Sequence, residues 1–487
     1  MSKKDTQTVV LKNLIWHYAE RCGAQLIQFI VQLILARILT PAEFGTIGLL
    51  TVFISISLVF AQSGMGQALV QKKESDQTDF STVFYFSIAF SIIIYIILWF
   101  AAPYISEYFN KPILVDIIRV LGVMVIIGAI NSVQQAYVQK NMKFKLFFYS
   151  TLSGTVVSAV VGIAMAYMGF GVWALVAQQI VNQLVGTVVL FFTIKWRPSF
   201  MFSFKRMGVL FSFGWKMLCS SLIDTIYNNI YSLEIGKHYS DADLGYYNKG
   251  KQFPMLIVQN INTTITSVLF PVLSKVQDEK ERLKSMMRRS IVTSTFIIFP
   301  AMAGLASVAE PLIRVLLTDK WLPAVPFIQF CCFTYAFWPI HTANLQAIKA
   351  LGRSDIFLGL EIAKKAVGVL ILVVTLPYGL TVMMIGRCVA TLVSSFLNAL
   401  PNKKLLGYSY FEQMKDILPS MLISIVMIVA IVPITLLPVH PLLQMCLQVV
   451  CGVIVYAGLA KLFKLECFEY ILNTIKAFLA KRGTKDS

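Results

Sequence analysis

The sequence predicts an all-α integral membrane protein of about 14 transmembrane helices. It is built as two six-helix lobes related by a parallel internal repeat, plus two C-terminal helices. Three observations predict this. The 487 residues are 57% hydrophobic and only 14% charged, against about 45–50% and about 25% in soluble domains, and the mean hydropathy is +0.73. Apolar runs of about 20 residues, enough to cross a hydrocarbon core about 30 Å thick, recur from end to end with short polar breaks. One ten-residue segment returns, in altered form, two hundred positions later. Such a chain is not disordered, not a secreted disulfide scaffold and not an ordinary soluble enzyme. Its loops leave no sizeable aqueous domain.

The expected spans are 13–38, 43–67, 82–103, 113–137, 148–168, 171–194 and 209–234, then 245–272, 290–316, 324–349, 356–376, 380–400, 417–437 and 441–463. Residues 1–13 are polar and show no cleavable signal pattern, so the first helix is expected to stay as a span. The net charge of +18 is placed by the loops. With the N-terminus in the cytoplasm, that side receives Lys72, Lys140, Lys143, Lys195, Arg197, Lys205, Arg206, Arg288, Arg289, Arg353, Lys403 and Lys404, among others. The outer loops hold only Arg37, Lys111, Lys237 and Lys320. This bias predicts both termini inside and an even helix number, and it accounts for the basicity without nucleic acid. The lobes are expected at 1–200 and 201–405, the last two helices at 406–465. A basic amphipathic tail on the inner membrane surface is expected at 466–487.

The repeat carries a local physical signal. Ala36 to Gly45 reads A-R-I-L-T-P-A-E-F-G and Gly236 to Gly245 reads G-K-H-Y-S-D-A-D-L-G. Thr40 matches Ser240, Glu43 matches Asp243 and Gly45 matches Gly245. A hydroxyl followed three residues later by a carboxylate is a helix-capping pair, and Pro41 suits a first helical turn. Gln28 and Asn228 match at the same offset, and Gln135-Ala136 pairs more loosely with Gln346-Ala347. Parallel repeats of this kind place a transport pathway between two lobes.

Polar residues at bilayer depth are the candidate site, because an ionisable group there costs about 2.5–3.5 kcal/mol on insertion scales and usually faces a cavity. In the first span Arg21, Gln28 and Gln32 lie on one stripe, with Glu20 beside it. Lys216, Asp224 and Asn228 form another on the seventh. The eighth carries Tyr246, Tyr247, Lys249, Lys251, Gln252 and Asn260, with a kink expected at Pro254. Lys364 and Arg387 lie at depth farther on. More basic than acidic groups at this depth point to an anionic passenger, gripped by guanidinium and ammonium groups. The alternative is local neutralisation: Arg21 by Glu20, Lys216 by Asp224, and Lys364 or Lys365 by Glu361. The carboxylates Glu20, Asp224 and Glu361 are also candidates for coupling transport to an ion.

Other motifs are informative by kind. Gly154, Ser158 and Gly162, four apart, suit close helix packing. His341, Asn344 and Gln346 either line the pathway or are satisfied core groups. The eight cysteines include no C-x-x-C and read as small core residues. No nucleotide-binding loop, zinc signature or other cofactor or metal motif occurs. The chain is therefore read as a non-enzyme.

Five segments carry a family resemblance: A-R-I-L-T-P-A-E-F-G at 36–45, S-G-M-G-Q-A-L-V-Q-K at 63–72, L-G-Y-Y-N-K at 244–249, F-P-V-L-S-K-V-Q at 270–277 and K-W-L-P-A-V-P at 320–326. In this order they resemble the polysaccharide-transporter branch of the multidrug/oligosaccharidyl-lipid/polysaccharide exporter superfamily. Within it they resemble Wzx-type lipopolysaccharide or colanic-acid exporters. The resemblance implies a flippase in the bacterial cytoplasmic membrane that moves undecaprenyl-diphosphate-linked oligosaccharide from the inner to the outer leaflet. It also implies membrane lipids and the polymerase machinery of the pathway as partners, and two lobes with spans one, two, seven and eight lining the centre. Arg21, Lys216 and Lys249 are best placed for the cationic role such a cavity implies. Two other readings stay open. One is a cation-coupled multidrug exporter of the same superfamily, which would want a carboxylate-rich cavity. The other is a membrane glycosyltransferase, ligase or polymerase, which would want a large outer loop.

Overall fold

The computed structural model describes residues 23–469 except 63 and 73, and it leaves the side chains of 213 and 264 undescribed. Among the described residues, fourteen helical segments stand about where the sequence places spans. They are α1 (Gly23–Ile38), α2 (Pro41–Gln62), α3 (Gln77–Phe109), α4 (Leu114–Lys140), α5 (Phe144–Tyr167), α6 (Val172–Thr193), α7 (Phe204–His238) and α8 (Asp241–Ser274). Then follow α9 (Lys280–Ser307), α10 (Asp319–Ala350), α11 (Ser354–Thr375), α12 (Leu380–Leu406), α13 (Tyr410–Ile431) and α14 (Pro441–Leu462). No strand occurs among the described residues. Eleven helices are individually long and apolar enough to cross a bilayer, and α7, bent by 44° near residue 213, makes a twelfth. The exceptions have physical reasons. The described part of α1 is short, and α11 carries Glu361, Lys364 and Lys365 in its middle. The chain is thus a multi-pass membrane protein.

The ninth span differs from its expected form. The sequence reads 290–316 as one run, but α9 ends at Ser307 and a separate helix, Ala309–Leu316, follows. A matching segment, Leu114–Leu121, opens α4. Both are strongly amphipathic, and both contain I-R-V-L, at 118–121 and 313–316. This is a further repeat pair that the sequence reading missed, because its offset of 195 differs from the offset of 200 found elsewhere.

The chain divides into two compact units, Met1–Gly245 and Tyr246–Ser487. In the first, both capping pairs of the repeat form as their spacing requires. Thr40 N and Oγ1 donate to Glu43 Oε2 at 2.6 and 2.8 Å, while Glu43 N donates back to Thr40 Oγ1 at 3.4 Å. Ser240 N and Oγ donate to Asp243 Oδ2 at 3.2 and 2.6 Å, and Asp243 N donates to Ser240 Oγ at 3.1 Å. The two starts also meet each other reciprocally. A Cβ on Gly45 would collide with the Asp241 carbonyl, and one on Gly245 with the Pro41 carbonyl. Lys111 Nζ ties this end to Asp241 Oδ1 at 2.5 Å and to the Gly236 carbonyl at 3.1 Å. Because a lost cap costs about 1 kcal/mol, Thr40→Ala and Ser240→Ala are each expected to lower thermal stability by a similar, small amount. Melting of the detergent-solubilised variants checks this, and a null shift in both would mean that the caps are redundant.

Small residues pack α5 against α6 in the way their four-residue spacing predicts. A Cβ on Gly154 would lie 2.7 Å from the Asn182 carbonyl, and one on Gly162 would lie 3.0 Å from Gln178 Cβ. Ser150 Oγ donates to the Gly186 carbonyl at 2.6 Å, a polar tie that suits helices with no hydrophobic drive between them. At the lysine-rich end, Arg206 Nη1 meets Asp76 Oδ1 at 2.5 Å. That guanidinium holds the Asp76 carboxyl down to about 2. Asp79, fully buried, takes Lys72 Nζ at 2.6 Å.

In the second unit, buried amides stitch three helices together. Asn344 Nδ2 of α10 donates to Gln413 Oε1 of α13 at 2.8 Å, and Asn402 Nδ2 of α12 donates to Asn344 Oδ1 at 2.7 Å. His341 Nδ1 lies 2.9 Å from Asn398 Nδ2. His341 and Asn344 are thus engaged within the core of this unit.

Candidate functional site

Three basic side chains of the second unit are candidates: Lys249 packs against Trp321, Lys251 lies two residues further along the helix, and Arg387 reaches Tyr247. Two lie on the first turns of α8, in Y-Y-N-K-G-K-Q, and the third is Arg387 on α12. A Cβ on Gly250 would fall 2.5 Å from Phe327 Cβ and 3.0 Å from Ile328 N, so only glycine lets the α10 backbone approach between the two lysines. Lys249 is consequently buried, 4% exposed. Its Nζ lies 6.0 Å over the Trp321 ring and donates to Gln252 Oε1 at 3.3 Å. Tyr246 packs edge-on against the same indole at 6.0 Å.

Arg387 lies against two tyrosines of the same unit. Its Nη1 donates to Tyr247 Oη at 2.5 Å. Its guanidinium stands 5.7 Å from the Tyr247 ring and 6.0 Å from the Tyr335 ring. Tyr247 is itself fully buried, edge-on to Phe327 at 6.2 Å. Lys251 is half-buried and makes no ion pair among the described residues. The ammonium and guanidinium groups of Lys249, Lys251 and Arg387 suit a phosphate or another multivalent anion by their chemistry. The aromatic faces support the guanidinium.

The other candidates fall elsewhere. Lys364 Nζ is paired with Glu361 Oε1 at 2.5 Å, so the local-neutralisation alternative describes this pair, and its charge is spent. Lys216, Asp224 and Asn228 are exposed along α7, and no ion pair joins Lys216 to Asp224. Gln32 Nε2 donates to Gln178 Oε1 of α6 at 3.4 Å, whereas Gln28 is exposed. Asn260 is exposed, with Nδ2 donating to the Leu256 carbonyl of its own helix at 2.9 Å. Glu20 and Arg21 lie outside the described residues, as does the tail from 470 onward. No group of three His, Cys, Asp or Glu side chains able to hold a metal occurs among the described residues.

Sequence reasoning missed Trp321, Tyr335 and Gly250 as neighbours of these side chains. Trp321 stands inside the K-W-L-P-A-V-P segment but reads as an interfacial anchor; the fold buries it completely in a short 3-10 turn, Asp319–Ala324. Tyr335 gives no signal, being one aromatic in an apolar run.

Comparison with known proteins agrees with this architecture. The model of a family described as polysaccharide biosynthesis protein matches residues 34–326. The succinoglycan biosynthesis transport protein ExoT of Rhizobium meliloti is 23% identical over 347 residues, 71% of this chain and 70% of that protein. The teichuronic acid biosynthesis protein TuaB of Bacillus subtilis is 27% identical over 305 residues, 61% of this chain and 63% of that one. The lipopolysaccharide biosynthesis protein WzxC of Escherichia coli is 24% identical over 316 residues, 64% and 63% of the two chains. Among solved structures, the lipid II flippase MurJ in an inward closed conformation superposes with a TM-score of 0.75 at 14% identity, covering 92% of this chain and 98% of that one. An inward-facing multidrug resistance transporter of the MATE family gives 0.61 at 16% identity, with 78% and 95% coverage. The chain belongs to the polysaccharide biosynthesis protein family, and it has the two-lobe fold seen in the MurJ and MATE-family structures.

Proposed function

We propose that the protein flips undecaprenyl-diphosphate-linked oligosaccharide repeat units from the inner to the outer leaflet of a bacterial cytoplasmic membrane. These units would feed a surface polysaccharide such as O-antigen, capsule or exopolysaccharide. The observation that carries this reading is the set of basic side chains Lys249, Lys251 and Arg387 within one membrane-spanning unit, in a chain whose relatives are named for polysaccharide biosynthesis and, in one case, transport. A diphosphate is the anionic part of such a lipid, and three cations in a low-dielectric setting suit it.

The mechanism follows from charge. The lobes, 1–200 and 201–405, rock about the pathway in alternating access, with both chain termini in the cytoplasm. Arg21 and Lys216 take the diphosphate from the inner leaflet. Lys249 and Lys251, with Arg387, receive it on the outward stroke. Tyr246, Gln252, Asn228 and Asn260 offer hydroxyl and amide contacts to sugar, and the polyprenyl chain stays in lipid. Outward movement of two negative charges is favoured by about 4–5 kcal/mol per 100 mV, inside negative. The membrane potential alone can therefore drive the step, and coupling through Glu20, Asp224 or Glu361 would add to it. The chemistry involves no covalent change, so the reading is that of a transporter and not an enzyme. The polysaccharide polymerase would consume the product on the outer face.

The test is reconstitution. Lipid-linked repeat units extracted from a strain lacking this protein are placed in proteoliposomes holding the full chain. Transfer to the opposite leaflet, lost in a paired Arg21→Ala/Lys216→Ala variant, is the expected result. Export of cationic dyes with no lipid transfer would favour the multidrug reading instead.

A further inference from the structure

A hollow lies wholly within the first unit and differs in chemistry from the basic side chains of the second. Its volume is about 250 Å³. Its polar wall is Gln62, Gln67, Ser132, Gln135, Gln139 and Ser221, supplied by the end of α2, the short helix Met65–Gln71, the end of α4 and the middle of α7. Val59, Ala136 and Leu218 form the apolar part, and Gly64 and Gly66 bare the backbone between them. No ionised side chain lines it. Four amides and two hydroxyls face this hollow, the four glutamines all exposed at helix ends.

The hydrogen-bond pattern leaves capacity unused. The side chains of Gln62, Gln67 and Gln139 make no hydrogen bond among the described residues. Gln135 is held from one side only, its Nε2 donating to Asn131 Oδ1, while Asn131 Nδ2 donates to Thr187 Oγ1 at 2.9 Å. An amide offers both two donors and an acceptor. A ring of amides and hydroxyls, uncharged and partly pre-oriented, therefore matches a ligand that itself alternates donors and acceptors over an apolar ring face. A phosphate would call for cations here, and a cation would call for carboxylates.

We propose that this hollow is a neutral-sugar subsite that recognises the carrier-proximal pyranose of the lipid-linked substrate. The proposal rests on the flippase reading for its ligand. It adds discrimination of the carrier-proximal sugar to the first unit, beside the diphosphate contacts proposed for Arg21 and Lys216.

Equilibrium binding to the full-length detergent-solubilised protein tests it with two probes, undecaprenyl-diphosphate-glucose and bare undecaprenyl diphosphate. The native chain is expected to bind the glucosylated lipid about tenfold tighter than the bare one, as a few extra hydrogen bonds would give. In Gln67→Leu/Gln135→Leu that preference is expected to vanish while affinity for the bare lipid stays within about twofold. No preference in the native chain, or a preference that survives the double variant, overturns the proposal. If the double variant fails to fold, Gln139→Ala at an exposed helical position takes its place with the same two outcomes. Failure of the flippase reading looks different: neither lipid crosses the bilayer in proteoliposomes, whatever the binding preference.

Discussion

Lys249→Ala combined with Lys251→Ala is expected to slow flipping of lipid-linked oligosaccharide by about a hundredfold or more. Hydrogen bonds to charged partners contribute about 1.5–3 kcal/mol each, and each 1.4 kcal/mol is about a factor of ten. Two lost contacts to a diphosphate therefore remove at least two orders of magnitude. Transport retained by the paired Lys249→Arg/Lys251→Arg variant would separate loss of charge from loss of packing. Arg387→Lys is expected to share the transport defect, since an ammonium cannot both donate to Tyr247 and present a planar fork to phosphate. Unchanged flipping in the double alanine variant would remove these lysines from the pathway.

Gly45→Val and Gly245→Val are expected to be the most damaging single substitutions for folding. Each added Cβ meets a backbone carbonyl of the opposite helix start, Asp241 for Gly45 and Pro41 for Gly245. Overpacking against side chains costs about 1–3 kcal/mol. A carbonyl in a first helical turn has less freedom to withdraw, so the upper end of that range or beyond is expected. Reciprocity makes a sharper demand: the two variants must be impaired alike. Gly208→Ala, where nothing lies within 4 Å, is the control and is expected to leave stability unchanged or slightly higher. Thermal unfolding of the purified variants reads all three, and a wild-type melting curve for Gly45→Val would contradict the close crossing.

The all-helical membrane fold of about fourteen helices, the two capped repeat starts and the small-residue helix packing were legible in the chain alone. Each of these signals is written over one helix length or less. Bilayer thickness fixes the length of an apolar run, and a cap is a contact between residues three apart. The sequence also marked Lys249, Lys251 and Arg387 as costly at their depth, because that cost depends on position in the span alone. Which charges are paired across helices depended on helix packing. Lys364 and Glu361 neutralise each other within one helix, whereas Arg387 reaches Tyr247 across 140 residues of sequence. Trp321 and Tyr335 come against Lys249 and Arg387 because Gly250 lets α10 close on α8. The glutamine-lined hollow was equally invisible, since its walls come from four helices and no local pattern records how their ends meet. Periodicity and hydropathy are sums over neighbours in the chain; a site is a set of neighbours in space, and the packing of helices alone makes one into the other.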